Sequence, residues 1–320
     1  MKRENHIGHL VMFIANILWG FMAPISKEVL SHGFVNPISL TTFRMLGAAI
    51  LFWFVSLFCK KEEVSPQDLV KLFFAALFGI VLNQASYIYG ISLTSPINAS
   101  IVSTTTPIIT MIIAAIYLKE PITGKKITGI FVGASGAMLL ILSSRQVVSI
   151  SGNSDALGDL FCLFSQFCFS IYFVLFKGLI GRYSPVTLMK WMFMYSFICC
   201  IPFSYNHISA IDFATMPTNV YMEVLYIIVG GTFISYLLVP IGQKTLRPTV
   251  AIMYNYIQPI IASIIAILWG MDTFGLMKTG AIVLVFAGVY IVTQSKSKAQ
   301  MDAERAAKAT SENSAADANP

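Results

Sequence analysis

The chain has 320 residues, of which 56% are hydrophobic and only 11% charged, and its mean hydropathy is +0.75. Soluble domains carry about 25% charged residues, so this chain lacks the charge to cover a water-facing surface. The net charge of +6 argues no partnership with nucleic acid, because the Lys and Arg sit in short clusters between apolar runs.

Apolar blocks at 10–26, 69–91, 99–118, 127–143, 221–242 and 279–293 each approach the ~20 residues that cross a ~30 Å hydrocarbon core. A backbone in lipid must satisfy its own hydrogen bonds, which leaves helices or a closed barrel. None of the blocks alternates with period two, so the expected class is all-α. The predicted fold is a polytopic bundle of ten transmembrane helices near 9–30, 37–59, 69–94, 95–118, 124–143, 157–180, 185–205, 221–244, 248–270 and 275–295. Residues 1–26, with Lys2 and Arg3 before an apolar run, imitate a signal peptide. The run is long and no small-x-small cleavage site follows, so it reads as an uncleaved first span.

Sixteen Lys and Arg fall on one side of these spans: Lys2, Arg3, Lys60, Lys61, Lys71, Lys119, Lys125, Lys126, Lys177, Arg182, Lys244, Arg247, Lys296, Lys298, Arg305 and Lys308. The opposite side has Lys27, Arg145 and Lys278. The positive excess marks cytoplasmic loops, so both termini are expected inside a cytoplasmic (inner) membrane. Residues 1–8 form a short cytoplasmic N-terminus. The tail 296–320, rich in Ala, Ser, Asn and charge, is expected to be disordered.

The two halves of the chain resemble each other. At an offset of 152, Gly79 meets Gly231, Gly90 meets Gly242, Pro96 meets Pro248, Pro107 meets Pro259, Lys126 meets Lys278 and Gly136 meets Gly288. Earlier the offset is 150, where Asn16 meets Gln166 and Trp19 meets Phe169. Isoleucine matches are cheap between apolar sequences; Gly and Pro pairs held at one spacing are not. The expected organisation is therefore two five-helix repeats, 9–143 and 157–295, joined by an extracytoplasmic linker at 144–156. Five spans is an odd number, so the second copy enters from the opposite side. Inverted repeats recur in secondary transporters.

Leu18-Trp19-Gly20, Arg44, the run Pro96, Ala99 and Pro107, then Lys119-Glu120-Pro121 before Gly129, Gly133 and Gly136, appear in that order. Together they resemble the EamA-type branch of the drug/metabolite transporter superfamily, over about residues 9–295. The resemblance implies ten helices around a central cavity, alternating access and export of metabolites such as amino acids. The second half departs from the pattern, with Phe169-Ser170 and Asp272-Thr273 at the matching places.

Polar side chains within spans are costly and usually face the bundle interior. The candidate substrate-binding residues are Asn16, Trp19, Arg44, Asn83, Gln84, Tyr87, Ser103, Thr106, Gln166, Tyr236, Asn255 and Gln258. Each reads as cavity lining or as an interhelical hydrogen bond. Arg44 contacts a carboxylate or phosphate of the substrate, snorkels to the interface, or pairs with the C-terminus of a neighbouring helix. Pro107 and Pro259, read as mid-helix kinks, would clash with the carbonyls of Ser103 and Asn255 and mark a binding site. Glu120 is expected to pair with Lys119 or Lys125. The glycine stripe suits close helix packing or a contact between copies of the chain, so a homo-oligomer stays open.

No cofactor or metal is expected. There is no GxxxxGK[ST] motif, and the five cysteines form no CxxC pattern. No Asp or Glu lies in the core of a span, and His6, His9, His32 and His207 lie near span ends or in loops, so no enzyme constellation is visible. The expected function is a secondary transporter, an exporter of small neutral or zwitterionic metabolites such as amino acids. The alternatives are a lipid or lipid-carrier translocator of the same fold and, below it, a polytopic membrane enzyme.

Overall fold

A computed structural model describes residues 2–93, 102–142, 156–268, 275–296 and Met301. The expectations for Pro96, Ala99, Asp272, the linker 144–155 and nearly all of the tail fall outside those residues.

The first half of the described chain runs through α1 (Lys2–Ser31) and α2 (Pro37–Ser56). A bent rod follows, made of α3 (Pro66–Ala76), a π-helical segment Leu77–Leu82 and α4 (Asn83–Leu93). Then come α5 (Thr106–Tyr117) and α6 (Gly124–Leu142). The second half starts with α7 (Ala156–Leu175), a short α8 (Lys177–Arg182) and α9 (Pro185–Ser209). Its own π segment, Val229–Ile234, joins α10 (Thr218–Ile228) to α11 (Ser235–Thr245). Then come α12 (Pro248–Ile252), a 3-10 turn Met253–Tyr256, α13 (Ile257–Leu268) and α14 (Leu276–Thr293).

Among the described residues six stretches are long and apolar enough to cross a bilayer: 37–56, 66–87, 157–175, 185–209, 218–245 and 276–293. The exterior is apolar, with Leu276 93% exposed and Phe203 and Leu268 both 77% exposed. Asn16, Thr106, Thr110, Ser165, Ser170 and Thr232 are wholly enclosed. Such a distribution is tolerable only where lipid, not water, surrounds the bundle.

Several helix starts follow from local sequence. Asn36, Ser65 and Ser184 each accept a backbone N–H three residues on, from Ser39, Asp68 and Thr187, and a proline follows each cap. That residue needs no N–H partner, so proline fits there at no loss.

The two π segments begin and end 152 residues apart. Their glycines accept neighbouring helices. A Cβ on Gly79 would lie 2.6 Å from Tyr172 Cγ, and one on Gly231 would lie 2.8 Å from Met22 Cγ. Gly90 packs against Gly158 and Cys162 of α7, and Gly242 packs against Gly8 and Met12 of α1. The contacted residues of α1 and α7 stand 150 apart, as Asn16 and Gln166 do. The glycine stripe of α6 is spent inside the chain: Gly129 meets Gly288 and Val292, Gly136 meets Ala281 and Val285, and Gly133 meets Tyr256.

The prolines correct one expectation. Pro107 and Pro259 do not sit within continuous helices. The chain leaves the α ladder as a turn at 104–105 and as the 3-10 stretch Met253–Tyr256, and each proline falls in the first turn of the helix that restarts. A proline ring clashes with a carbonyl four residues back only in an unbroken helix, so breaking the ladder just upstream removes the clash.

Candidate functional site

The buried polar side chains form a belt that crosses the bundle. Arg44 of α2 is only 6% exposed. Its Nε donates to Thr232 Oγ1 at 3.0 Å and its Nη1 to Gln84 Oε1 at 3.2 Å. Gln84 Nε2 donates to Asn83 Oδ1 at 2.9 Å, and Asn83 Nδ2 reaches Ser165 O at 3.0 Å and Ser165 Oγ at 2.9 Å. Next along α7, Gln166 Oε1 lies 2.8 Å from the Thr106 hydroxyl, and its Nε2 lies 3.3 Å from Ser103 Oγ. Tyr87 is hydrogen-bonded to Ser103, and Tyr236 to Gln84. Across the bundle, Gln258 Nε2 donates to Asn16 Oδ1 at 2.9 Å, and Asn16 Nδ2 donates to Met12 O at 2.8 Å. Trp19 Nε1 donates to Gly231 O at 3.0 Å, so Trp19 and Arg44 meet the π segment between α10 and α11 at consecutive residues.

The broken helices explain part of this geometry. Ser103 O, the carbonyl four residues before Pro107, lies 2.6 Å from the Thr106 hydroxyl. In the π segment the wider turn presents carbonyls to hydroxyls five residues on. Thr232 Oγ1 donates to Ile227 O at 2.8 Å and Ser235 Oγ to Gly230 O at 2.9 Å. Thr232 thereby spends its proton and offers Arg44 a lone pair.

Of the sequence candidates, Arg44, Gln84, Asn83 and Tyr236 form one connected group, and Gln166, Thr106, Ser103 and Tyr87 another. Asn16 joins Gln258. Asn255 stays outside these groups; its Oδ1 is buried without a partner. Pro107 and Pro259 adjoin Thr106 and Gln258, the partners of Gln166 and Asn16. Arg44 does not snorkel; it is held inside by Thr232 and Gln84. Thr232 and Ser165 were missed. A hydroxyl in an apolar run carries little signal, and the π register that turns Thr232 inward has no composition mark except the Gly230-Gly231 pair beside it.

A second polar layer lies where the Lys- and Arg-rich loops meet. Glu120 pairs with Lys126, at 2.6 Å, and not with Lys119 or Lys125. Lys126 is 1% exposed along its side chain, because the first turn of α6 carries it inward. Thr249 Oγ1 also donates to Glu120 Oε2 at 3.2 Å, Lys177 Nζ caps Leu246 O at 3.1 Å, and Arg247 donates to Ser295 O at 2.6 Å. These bonds tie loop 119–123 to α12, the start of α8 to the end of α11, and Arg247 to the residues after α14. The Lys126 ammonium is enclosed, and among the described residues its carboxylate partner is Glu120. Glu120→Gln leaves that ammonium enclosed with no anion and is expected to destabilise the protein by about 3 kcal/mol. Thermal unfolding in detergent checks it, and pairing Glu120→Met with Lys126→Met should recover most of the loss.

Glu62 accepts from Ser184 N at 2.9 Å and Ser184 Oγ at 2.9 Å, so it reaches the N-terminus of α9. Burial raises its pKa, but hydrogen bonds from Thr187 and Ser184 and the charge of Lys244 outweigh that and hold it below 4.5. A depressed carboxylate gives stability that is full above its unfolded value and fades as pH falls below it. Acid titration of the unfolding temperature should therefore show a falling limb below about pH 4.5 that is smaller in Glu62→Gln.

A groove of about 480 Å³ opens between α1, α13 and α14, lined by Leu10, Phe13, Ile257, Phe286 and Tyr290, with His9 Nδ1 2.7 Å from Tyr254 Oη at its edge.

A lipid-facing exterior around an enclosed polar belt defines a multi-pass membrane protein. The sequence model of the EamA-like transporter family matches residues 6–142 and 156–294, so the chain belongs to that family. Its members are transporters, not enzymes; a transporter works in a lipid bilayer on a small-molecule substrate. The chain is similar to the uncharacterized transporter YyaM of Bacillus subtilis, 23% identical over 292 residues, covering 89% of this chain and 93% of that protein. It is also similar to an uncharacterized transporter of Archaeoglobus fulgidus, 23% identical, covering 90% and 99%. The WAT1-related protein At1g43650 of Arabidopsis thaliana is 23% identical, covering 92% of each chain. A solved crystal structure shares the fold at a TM-score of 0.74 and 17% identity, covering 90% of this chain and 98% of that one.

Proposed function

We propose that the chain is a secondary transporter that exports small neutral or zwitterionic metabolites, such as amino acids, by alternating access. In this reading it has ten spans in two inverted repeats, 9–143 and 157–295, with both termini cytoplasmic in the inner membrane. The observation that carries it is a mirrored pair of contacts. Gln258 bonds Asn16, and Thr106 bonds Gln166. Exchanging Asn16 for Gln166 (offset 150) and Gln258 for Thr106 (offset 152) turns one contact into the other. The glycine contacts and π segments follow the same exchange, and Tyr256 donates to the carbonyl of its own counterpart, Thr104, at 3.0 Å. Two near-equivalent halves of opposite orientation have two near-equivalent packings, one open to each side. The belt from Asn16 and Trp19 to Gln84, Gln166 and Gln258 lies between them, where a solute would bind.

Reporters active only outside, fused at residues 150 and 310, test the topology. Activity at 150 and silence at 310 is expected; the reverse contradicts ten spans with cytoplasmic ends. Metabolites measured inside and outside cells with and without the gene test the export.

One observation favours a second reading, a lipid or lipid-carrier translocator. An apolar groove is lined by residues of α1, α13 and α14, among them the exposed Leu10, Phe286 and Tyr290. Acceleration of lipid flip-flop in liposomes, without solute flux, selects it.

A further inference from the structure

Among the described residues Arg44 is a cation without an anion. No acid among the described residues forms an ion pair with it; the described pairs are His32–Glu28, Lys71–Asp68, Lys126–Glu120 and Arg182–Asp68. Its two hydrogen bonds go to neutral oxygens, and its Nη2 is buried with no partner at all. The neighbours are committed in one direction. Thr232 gives its proton to Ile227 O, Gln84 donates an amide N–H to Asn83 Oδ1, and Asn83 Nδ2 donates to Ser165. They orient the guanidinium and leave its charge unneutralised. An enclosed, unpaired charge is costly to hold, and a buried donor without a partner calls for an explanation.

We infer that Arg44 is the carboxylate-recognition residue of this transporter, and that its solute carries one carboxylate on a small apolar body. The inference rests on the transport reading above and deepens it. With one N–H of Nε and one of Nη1 engaged, the second Nη1 hydrogen and those of Nη2 are left, and that pair of nitrogens can take the two oxygens of a planar carboxylate. One cation amid neutral amides balances one negative charge; a phosphate dianion would leave a charge unmet. The body of the solute meets rings. Trp19 and Tyr236 lie 5.6 Å apart centre to centre, Tyr236 and Phe193 5.1 Å, and Phe233, next to Thr232, lies 4.6 Å from Phe52. An amino acid and the free acid of the same skeleton share this chemistry and differ in the ammonium.

Matched sets separate the sources: phenylalanine, 3-phenylpropionate and phenethylamine; leucine, 4-methylpentanoate and isopentylamine; alanine, propionate and ethylamine. Each is added to the purified full chain in detergent, and the shift in unfolding temperature reports binding. In at least one set the acid, the amino acid or both raise the temperature and the amine does not. A shift with the amino acid alone names a zwitterion, and one with the acid alone a monoanion. Arg44→Gln weakens the shift on the order of 30-fold in ligand concentration. Gln84→Glu supplies an internal carboxylate, so it raises the unliganded unfolding temperature and also removes the shift; it answers the question even if Arg44→Gln fails to fold. The inference is overturned if no acid-selective shift appears in any set, if Gln84→Glu keeps the shift, or if inorganic phosphate alone reproduces it. Liposome flux of an uncharged solute without acid-selective binding removes the inference and keeps the transport reading; binding without flux of any solute removes the transport reading.

Discussion

Gly288→Leu is expected to abolish the folded protein. A Cβ at 288 would stand 2.6 Å from Gly129 O and 2.6 Å from Gly133 Cα, both backbone atoms of α6. A flexible side chain gives way by rotating; a helix backbone moves only by separating from its partner. Ordinary overpacking costs about 1–3 kcal/mol, and a clash of backbone on side chain along a whole helix pair exceeds that range. Gly129 and Gly136 contribute to the same seam from the other side, so no neighbouring residue shrinks to compensate. Fluorescence-detected size exclusion of the variant in detergent should show aggregate in place of a monodisperse peak. Gly280→Leu is the control, since a Cβ at Gly280 meets nothing within 4 Å; it should leave the peak unchanged.

The second large effect concerns function with the fold retained. Asn16→Leu and Gln166→Leu keep roughly the side-chain size and remove the amide, which leaves Gln258 and Thr106 each short of a partner. Each is expected to cut solute flux about tenfold, equivalent to about 1.4 kcal/mol. If the two amides serve one site, the double variant loses more than either alone and stays folded. Should both variants transport as the native chain does while unfolding earlier, these amides are merely structural bonds between helices.

Much of this architecture was legible in the sequence because lipid imposes strong rules. Apolar runs of sufficient length located most of the rods, and the glycine stripe of α6 marked a close helix seam. The polar candidates were legible too, since an Asn or Gln in an apolar run stands out. What did not show was partnership. Glu120 pairs with Lys126 because the first turn of α6 rotates that side chain inward, and periodicity alone did not separate it from Lys125. The two breaks before Pro107 and Pro259 are a choice the backbone makes to escape a clash, and the sequence pattern fits a kinked helix equally well. Asn255 looked like Asn16 in the sequence, yet in the 3-10 turn its Oδ1 is buried without a partner. Thr232 gained its role from a π register that one extra residue per turn creates.

The central claim is that this chain by itself carries a small solute across a bilayer through the belt at Asn16, Arg44, Gln84 and Gln166. The most direct measurement uses purified protein in sealed liposomes loaded with a defined metabolite mixture and no nucleotide, with mass spectrometry of the exterior over time. The account predicts that at least one small carboxylate-bearing solute leaves faster than from protein-free liposomes, and that Asn16→Leu with Gln166→Leu removes the difference. Solute flux unaffected by that double variant, flux only when ATP is supplied, or accelerated lipid flip-flop with no solute flux would contradict it.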